Sequence, residues 1–233
     1  MNICIFTRHN DHRLNYLIQT VEKQSISITL IVTATKRKGT NSLRSLIKRI
    51  LLPGKRNNKL PPGLGYRIRQ TDHHSSNSVK SLLLENKIDT IFLSKSGIIR
   101  PNIIEGPWRI INCHPGILPR YRGVGSCEWA VYESGPLGVT AHYVDHGIDT
   151  GPIIHREYVE PHAGETLYDF RKRLDWIGAD IFSKLACRLS RKERLPEKLQ
   201  DIDSGILYTR KPNVNEIPYI EKRLKERQLR STE

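Results

Sequence analysis

The first 33 residues constrain the fold more than any other stretch. MNICIFT is a short, β-prone apolar run, and Asp11–Glu22 carries Leu14, Leu17, Ile18 and Val21 at helical spacing. Ser25–Thr33 is again rich in Ile, Val and Thr. A strand, a helix and a second strand in so little chain favour a parallel pair joined by a right-handed crossover. The theme recurs downstream. Ser76–Asn86 reads as a helix, Ile88–Ser94 as a buried strand turning at Lys95–Pro101, and Trp108–His114 as a strand stopped by Pro115-Gly116. Gly125–Glu133 reads as a short helix, with Gly138–Asp145 and Pro152–Val159 as two more strands. Glu165–Leu189 is the longest helical pattern, with Leu167, Phe170, Leu174, Ile177, Ile181 and Leu185 on one side. The sum is an α/β fold whose early strands are parallel. Ligands of such sheets sit beyond the carboxyl ends of the strands, where the turns after Ser94 and His114 fall.

Residues 1–190 read as one domain, and 191–233 as a polar extension broken by Pro196, Pro212 and Pro218, with a last charged helix at Glu216–Arg227. The formal charge of +14 is concentrated in one place. Eleven of the 38 lysines and arginines fall within residues 36–69, which hold no acid, leaving 27 against 24 acidic residues elsewhere. Inside that segment Leu43, Leu46, Ile47, Ile50 and Leu51 form the stripe of an amphipathic helix, with Arg44, Lys48 and Arg49 on its other side. A solvated helix on the sheet and a patch attracting an anionic substrate, an acidic partner or a membrane surface are both open. No apolar run is long enough to cross a bilayer, and the opening residues lack a positively charged lead into an apolar stretch. Four cysteines without a CxxC pair fit neither zinc nor a disulfide framework. The expectation is a reduced, cytoplasmic protein.

The stretch Asn112–Gly151 holds Asn112, His114, His142, Asp145, His146 and Asp149. Alternation along a strand puts Asn112 and His114 on one face, about 6–7 Å apart. A metal held by His142 and His146 needs helical spacing, whereas four residues of strand span about 13 Å; no metal is expected. Cys113 and His114, as strand neighbours, point to opposite faces and make no dyad. Ser126 does not sit in a GxSxG elbow, and no glycine-rich dinucleotide fingerprint follows the first strand. What remains is acyl transfer to an amine without a covalent intermediate. That chemistry needs a base for the ammonium proton, a donor for the oxyanion and a carboxylate to orient or relay. His114, Asn112 and Asp149 supply one of each. Singly, each also has a structural reading: Asn112 as a turn cap, His114 as a buried imidazole, Asp149 as an Asx-turn residue. His142 either shapes the pocket or packs, and Trp129, Tyr143 and Trp176 read as core.

Four blocks in order resemble one family: Asn112-Cys113-His114-Pro115-Gly116, Leu118–Gly123, Gly138-Val139-Thr140-Ala141-His142, and Gly147-Ile148-Asp149-Thr150-Gly151. They look like the signature of the 10-formyltetrahydrofolate-dependent formyltransferases, clearest over residues 88–190. The resemblance implies a Rossmann-like formyltransferase fold and a catalytic triad of Asn112, His114 and Asp149. It implies 10-formyltetrahydrofolate as cosubstrate, its pterin end held by Ser96, Gly97 and Ile98 and by the loop that includes Asp145 and His146. The glycinamide ribonucleotide enzymes carry a small Gly/Ser/Asn loop after the first strand, where this chain has Arg8–Arg13. The methionyl-tRNA enzymes add a C-terminal barrel that the roughly 40 residues after the last long helix are too few to form. The sugar N-formyltransferases are nearest in character. They imply a small, anionic or nucleotide-linked amine as acceptor, with the other two types as alternatives and a homodimer open. A basic nucleic-acid-binding protein is the competing class, resting on residues 36–69 alone; no nucleic-acid motif supports it.

Overall fold

The structure is a computed structural model and describes residues 1–8, 11, 13–34 and 67–230. The helix expected at 43–51, and most of the basic segment around it, lie outside the described residues. The chain runs β1 (Ile3–Arg8), α1 (Leu14–Glu22), β2 (Ile28–Ala34), β3 (Arg67–Thr71), α2 (Asn77–Glu85), β4 (Thr90–Ser94), α3 (Pro101–Ile104), β5 (Arg109–His114), β6 (Tyr121–Gly123) and α4 (Ser126–Tyr132). There follow β7 (Gly138–Tyr143), β8 (Ile153–Tyr158), α5 (Leu167–Ser190), a 3-10 turn at Ile202–Ser204, β9 (Ile206–Tyr208) and α6 (Ile217–Arg230).

Seven strands form one sheet in the order β3-β2-β1-β4-β5-β7-β8. The first five are parallel, while β7 and β8 pair antiparallel. The expected mostly parallel, Rossmann-like sheet is therefore present. Strand order reverses between β1 and β4, the position where α/β sheets open a crevice at their carboxyl ends. Strands β1, β2 and β4 are buried on both faces, which is why they read as continuous apolar runs. Strand β3, RIRQT, is an exposed edge without an apolar signature and was not foreseen.

Helix α5 covers one face. Phe170, Leu174, Ile181, Phe182 and Leu185 pack there with Ile3, Ile5, Phe92 and Ile111 and with the buried stripe of α1. Each such side chain contributes about 1.5–3 kcal/mol by leaving water. Thr166 starts α5, its hydroxyl oxygen accepting from Asp169 N at 3.1 Å. The opposite face packs Phe6, Leu30, Leu93, Ile103, Trp108 and Ile110 under α2, where Ser76 caps through Val79 N.

Among the described residues beyond 190, Leu195 and, from α6, Ile220 and Leu224 join the α5-side core. Strand β9 pairs with β6, and Trp129 Nε1 donates to Arg210 O at 2.9 Å. Among the described residues no helix is long and apolar enough to cross a membrane.

Candidate functional site

The site is built on β5. Its residues alternate: Ile110 enters the α2-side core, Ile111 the α5-side core, and Cys113 packs toward α5. There Gly178 leaves room for it, since a Cβ on Gly178 would stand 3.2 Å from the Cys113 Cβ. Asn112 and His114 consequently face away from α5, as the alternation requires. The antiparallel partner β7 places His142 directly across from Asn112, and Thr140 across from His114. Cross-strand pairs lie within side-chain reach, and Asn112 Nδ2 is 3.2 Å from His142 Nε2.

Asp149 arrives from the turn after β7. Its φ of 55° lies in the left-handed region, where aspartate is one of the few tolerated non-glycine residues. Asp145 shapes the turn by accepting from Gly147 N at 3.1 Å and from Thr150 Oγ1 at 2.6 Å. Asp149 Oδ2 then lies 3.3 Å from His114 Nδ1 and Oδ1 lies 3.5 Å from His142 Nε2. The structure thus brings Asn112, His114 and Asp149 together, with His142 joining them.

The loop between β5 and α4 completes the cluster with backbone groups. Thr140 Oγ1 donates to Gly116 O at 2.7 Å and accepts from Leu118 N at 3.1 Å. Ser126 Oγ donates to Pro115 O at 3.0 Å, a structural task for that hydroxyl. So held, the loop offers Tyr121 O to His114 Nε2 at 2.7 Å and Gly123 N to Asp149 Oδ2 at 2.9 Å. Neither backbone group leaves a mark in the sequence pattern.

The hydrogen bonds assign the ring protons. A carbonyl only accepts, so His114 Nε2 carries hydrogen toward Tyr121 and the neutral ring keeps its lone pair on Nδ1, beside Asp149. By the same reasoning His142 donates from Nδ1 to Tyr143 O at 2.7 Å. Its Nε2 accepts one Asn112 amide hydrogen, and the second amide hydrogen is left over. His114 and His142 are almost fully buried. Burial pushes the His114 imidazole below its ordinary pKa and His142 adds to this, against the opposing pull of Asp149 and the Tyr121 carbonyl. For Asp149 burial acts upward, but a proton carried by His114 or His142 and the Gly123 N–H outweigh it and hold the carboxyl well below the usual carboxylate range. The result is an anionic Asp149 beside a neutral His114 whose basic nitrogen faces it. Burial raises the Cys113 thiol far above its ordinary value, which keeps it protonated.

The remaining five predicted residues occupy two neighbouring loops. Leu93 pairs with Asn112, so the turn with Ser96, Gly97 and Ile98 leaves the sheet just beyond the site. Ser96 Oγ donates to Gly97 O at 3.1 Å, Gly97 has φ 90°, and Ile98 is 78% exposed. Asp145 serves the turn described above. His146 is exposed, with Nε2 3.6 Å from Glu105 Oε1. Among the described residues no group of three or more His, Cys, Asp or Glu could hold a metal ion.

Comparison with known proteins fits this arrangement. The family model described as formyl transferase matches residues 1–185. A methionyl-tRNA formyltransferase of Solibacter usitatus is 35% identical over 106 residues, 45% of this chain and 34% of that protein; the chain matches less than half the length of such relatives. A sugar N-formyltransferase from a Shewanella species superposes with a TM-score of 0.66 at 18% identity, covering 96% of this chain and 87% of that one. A formyltransferase from Anoxybacillus kamchatkensis, solved with UDP-4,6-dideoxy-4-formamido-L-AltNAc and tetrahydrofolate, superposes at 0.54 with 20% identity, covering 90% and 86%. With its sheet, its ordered motif blocks and a family match over residues 1–185, the chain belongs to the formyl transferase family.

Proposed function

We propose that this protein is an N-formyltransferase that moves a formyl group from 10-formyltetrahydrofolate to the primary amine of a small acceptor, a nucleotide-linked amino sugar. The convergence of Asn112, His114 and Asp149 at the carboxyl end of β5 carries the reading. Attack of an amine on a formyl carbon puts negative charge on oxygen and an acidic proton on nitrogen. The second Asn112 amide hydrogen stabilises that oxygen. The proton goes to His114 Nδ1, and the imidazolium so formed lies between two acceptors, Asp149 and the Tyr121 carbonyl. Asp149 orients the ring and steadies the imidazolium; as the oxyanion collapses the formyl C–N10 bond breaks, and the proton held by His114 goes to N10 so that tetrahydrofolate leaves.

The formyl donor supplies the activated one-carbon group. Ser96, Gly97, Ile98, Asp145 and His146 would hold its pterin end. In favour of this, the backbone N–H and C=O groups of Ile98, His146 and Ile148 make no hydrogen bond among the described residues, while the Ile98 and Ile148 side chains are exposed. Backbone donors and acceptors unused among the described residues, beside apolar surface, suit a flat heterocycle with polar edges.

For the acceptor, the fold likeness to sugar N-formyltransferases is joined by the chemistry after β1. Asp11 is buried there, accepting from Thr7 Oγ1 and Ser94 Oγ at 3.0 and 2.8 Å. Arg13 lies 3.3 Å from Asp11 and 2.9 Å from Asp175. Carboxylates thus already engage Arg13, which leaves it less available to a phosphomonoester at this position. Four free cysteines suit a reducing compartment such as the cytoplasm.

The test is incubation with 10-formyltetrahydrofolate and a panel of amino-sugar nucleotides, glycinamide ribonucleotide and simple amines, read by mass spectrometry for a gain of about 28 Da. A formylated sugar nucleotide is expected. Formylation of glycinamide ribonucleotide alone would replace the acceptor, and no product from any amine would overturn the activity.

A further inference from the structure

Gln200 comes from the chain after α5, beyond the residues matched by the family model. Its Nε2 donates to Asp149 O at 3.1 Å and to Gly151 O at 2.6 Å. A rotated amide would set oxygen against two carbonyls, so this orientation is the one the contacts allow. Gln200 Oε1 is buried without a hydrogen-bond partner among the described residues. An unpaired buried carbonyl destabilises a fold, so packing alone would favour an apolar side chain of the same length. What the amide adds is its pair of N–H bonds to the Asp149 turn.

That turn needs outside support because Asp149 is left-handed. Asp145 ties its first half, and Gln200 ties its second. Gln200 is itself anchored by the two backbone bonds between Lys198 and Ile153, at 2.8 and 2.9 Å. The same tail holds the other wall of the site. Ile206 N donates to Arg120 O at 3.1 Å and Val124 N to Tyr208 O at 2.7 Å, bracketing the loop that carries Tyr121 O and Gly123 N.

We infer that Gln200 is a positioning residue that holds the Asp149 carboxylate against His114, so that the C-terminal segment completes the site. The inference rests on the reading of His114 and Asp149 as the proton-accepting pair. The groups facing His114 are Asp149, His142 and the Tyr121 carbonyl, and Gln200 touches the backbone of the first.

The test compares Gln200→Met and Gln200→Glu with Asp149→Asn and the unaltered protein. The His114 imidazole is titrated by NMR through its ring carbon-bound protons, and tetrahydrofolate binding is followed by calorimetry. Asp149→Asn removes the anion and lowers the His114 midpoint. Both Gln200 variants should lower it in the same direction by a smaller amount, with Gln200→Glu the weaker because its own negative charge offsets part of the loss, while thermal unfolding changes little. A His114 midpoint unmoved in both Gln200 variants, although Asp149→Asn shifts it, overturns this inference alone. A midpoint unmoved in Asp149→Asn removes the underlying pair and the inference with it. Failure of both Gln200 variants to fold assigns the residue to stability and also overturns it.

Discussion

His114 Nδ1 stands 3.3 Å from Asp149 Oδ2, longer than a strong charge-assisted hydrogen bond. Asp149→Asn keeps the turn, since asparagine also tolerates the left-handed conformation, but removes the charge that stabilises a protonated ring. The expected loss in kcat is about 10²–10⁴-fold, with the folded circular-dichroism spectrum retained. Turnover of the acceptor found in the panel measures it, and full activity would sink the assignment.

Asn112→Ala removes the amide hydrogen offered to the developing oxyanion. The expected loss is about 10²–10³-fold in kcat, with KM for either substrate nearly constant. His142→Ala should cost less, because the Asn112 amide remains but rotates freely. A His142→Ala loss exceeding that of Asn112→Ala would place the chemistry on His142 instead.

Stability should fall on acidification in two windows. His114 has a folded pKa below its unfolded value of about 6.5, so its contribution is complete above that pH and is lost as pH falls toward the folded value. His74, buried against Phe6, acts in the same direction. His114→Gln should therefore lessen, without abolishing, the slope of unfolding free energy just below about pH 6.5. Asp149 is depressed, so its share is present above about pH 3.9 and lost on further acidification. Asp149→Asn should flatten that lower window. Urea unfolding at a series of pH values reads both.

Thr140→Val keeps the shape of a buried side chain and deletes the hydroxyl that joins Gly116 O to Leu118 N. Leaving those two groups unpaired should cost about 1–3 kcal/mol, measured by urea unfolding. Because the same loop carries Tyr121 and Gly123, turnover should fall further than stability suggests.

Much of this was readable from residue order. Strands β1, β2 and β4 announce themselves because apolar residues cover both faces, and in β5 the alternation of Asn112, Cys113 and His114 sets their directions without knowledge of partners. Strand β3 stayed hidden because an exposed edge needs no apolar residues, and β9 because three residues carry no period. The five residues assigned to the pterin end followed from likeness to relatives and not from their own chemistry. Gln200 had no local signal: its meaning lies in a contact 51 positions away. The Tyr121 and Gly123 contributions come from main-chain atoms, which no residue type announces.

The hydrogen bond from His114 Nε2 to Tyr121 O has one more consequence. Every residue type brings a carbonyl, so no point substitution at position 121 can delete this acceptor. The tautomer of His114 is inherited through the course of the chain and not through the identity of a side chain. Drift around the mouth of the site can therefore reshape which amine is admitted while the protonation state of the base is carried through unchanged.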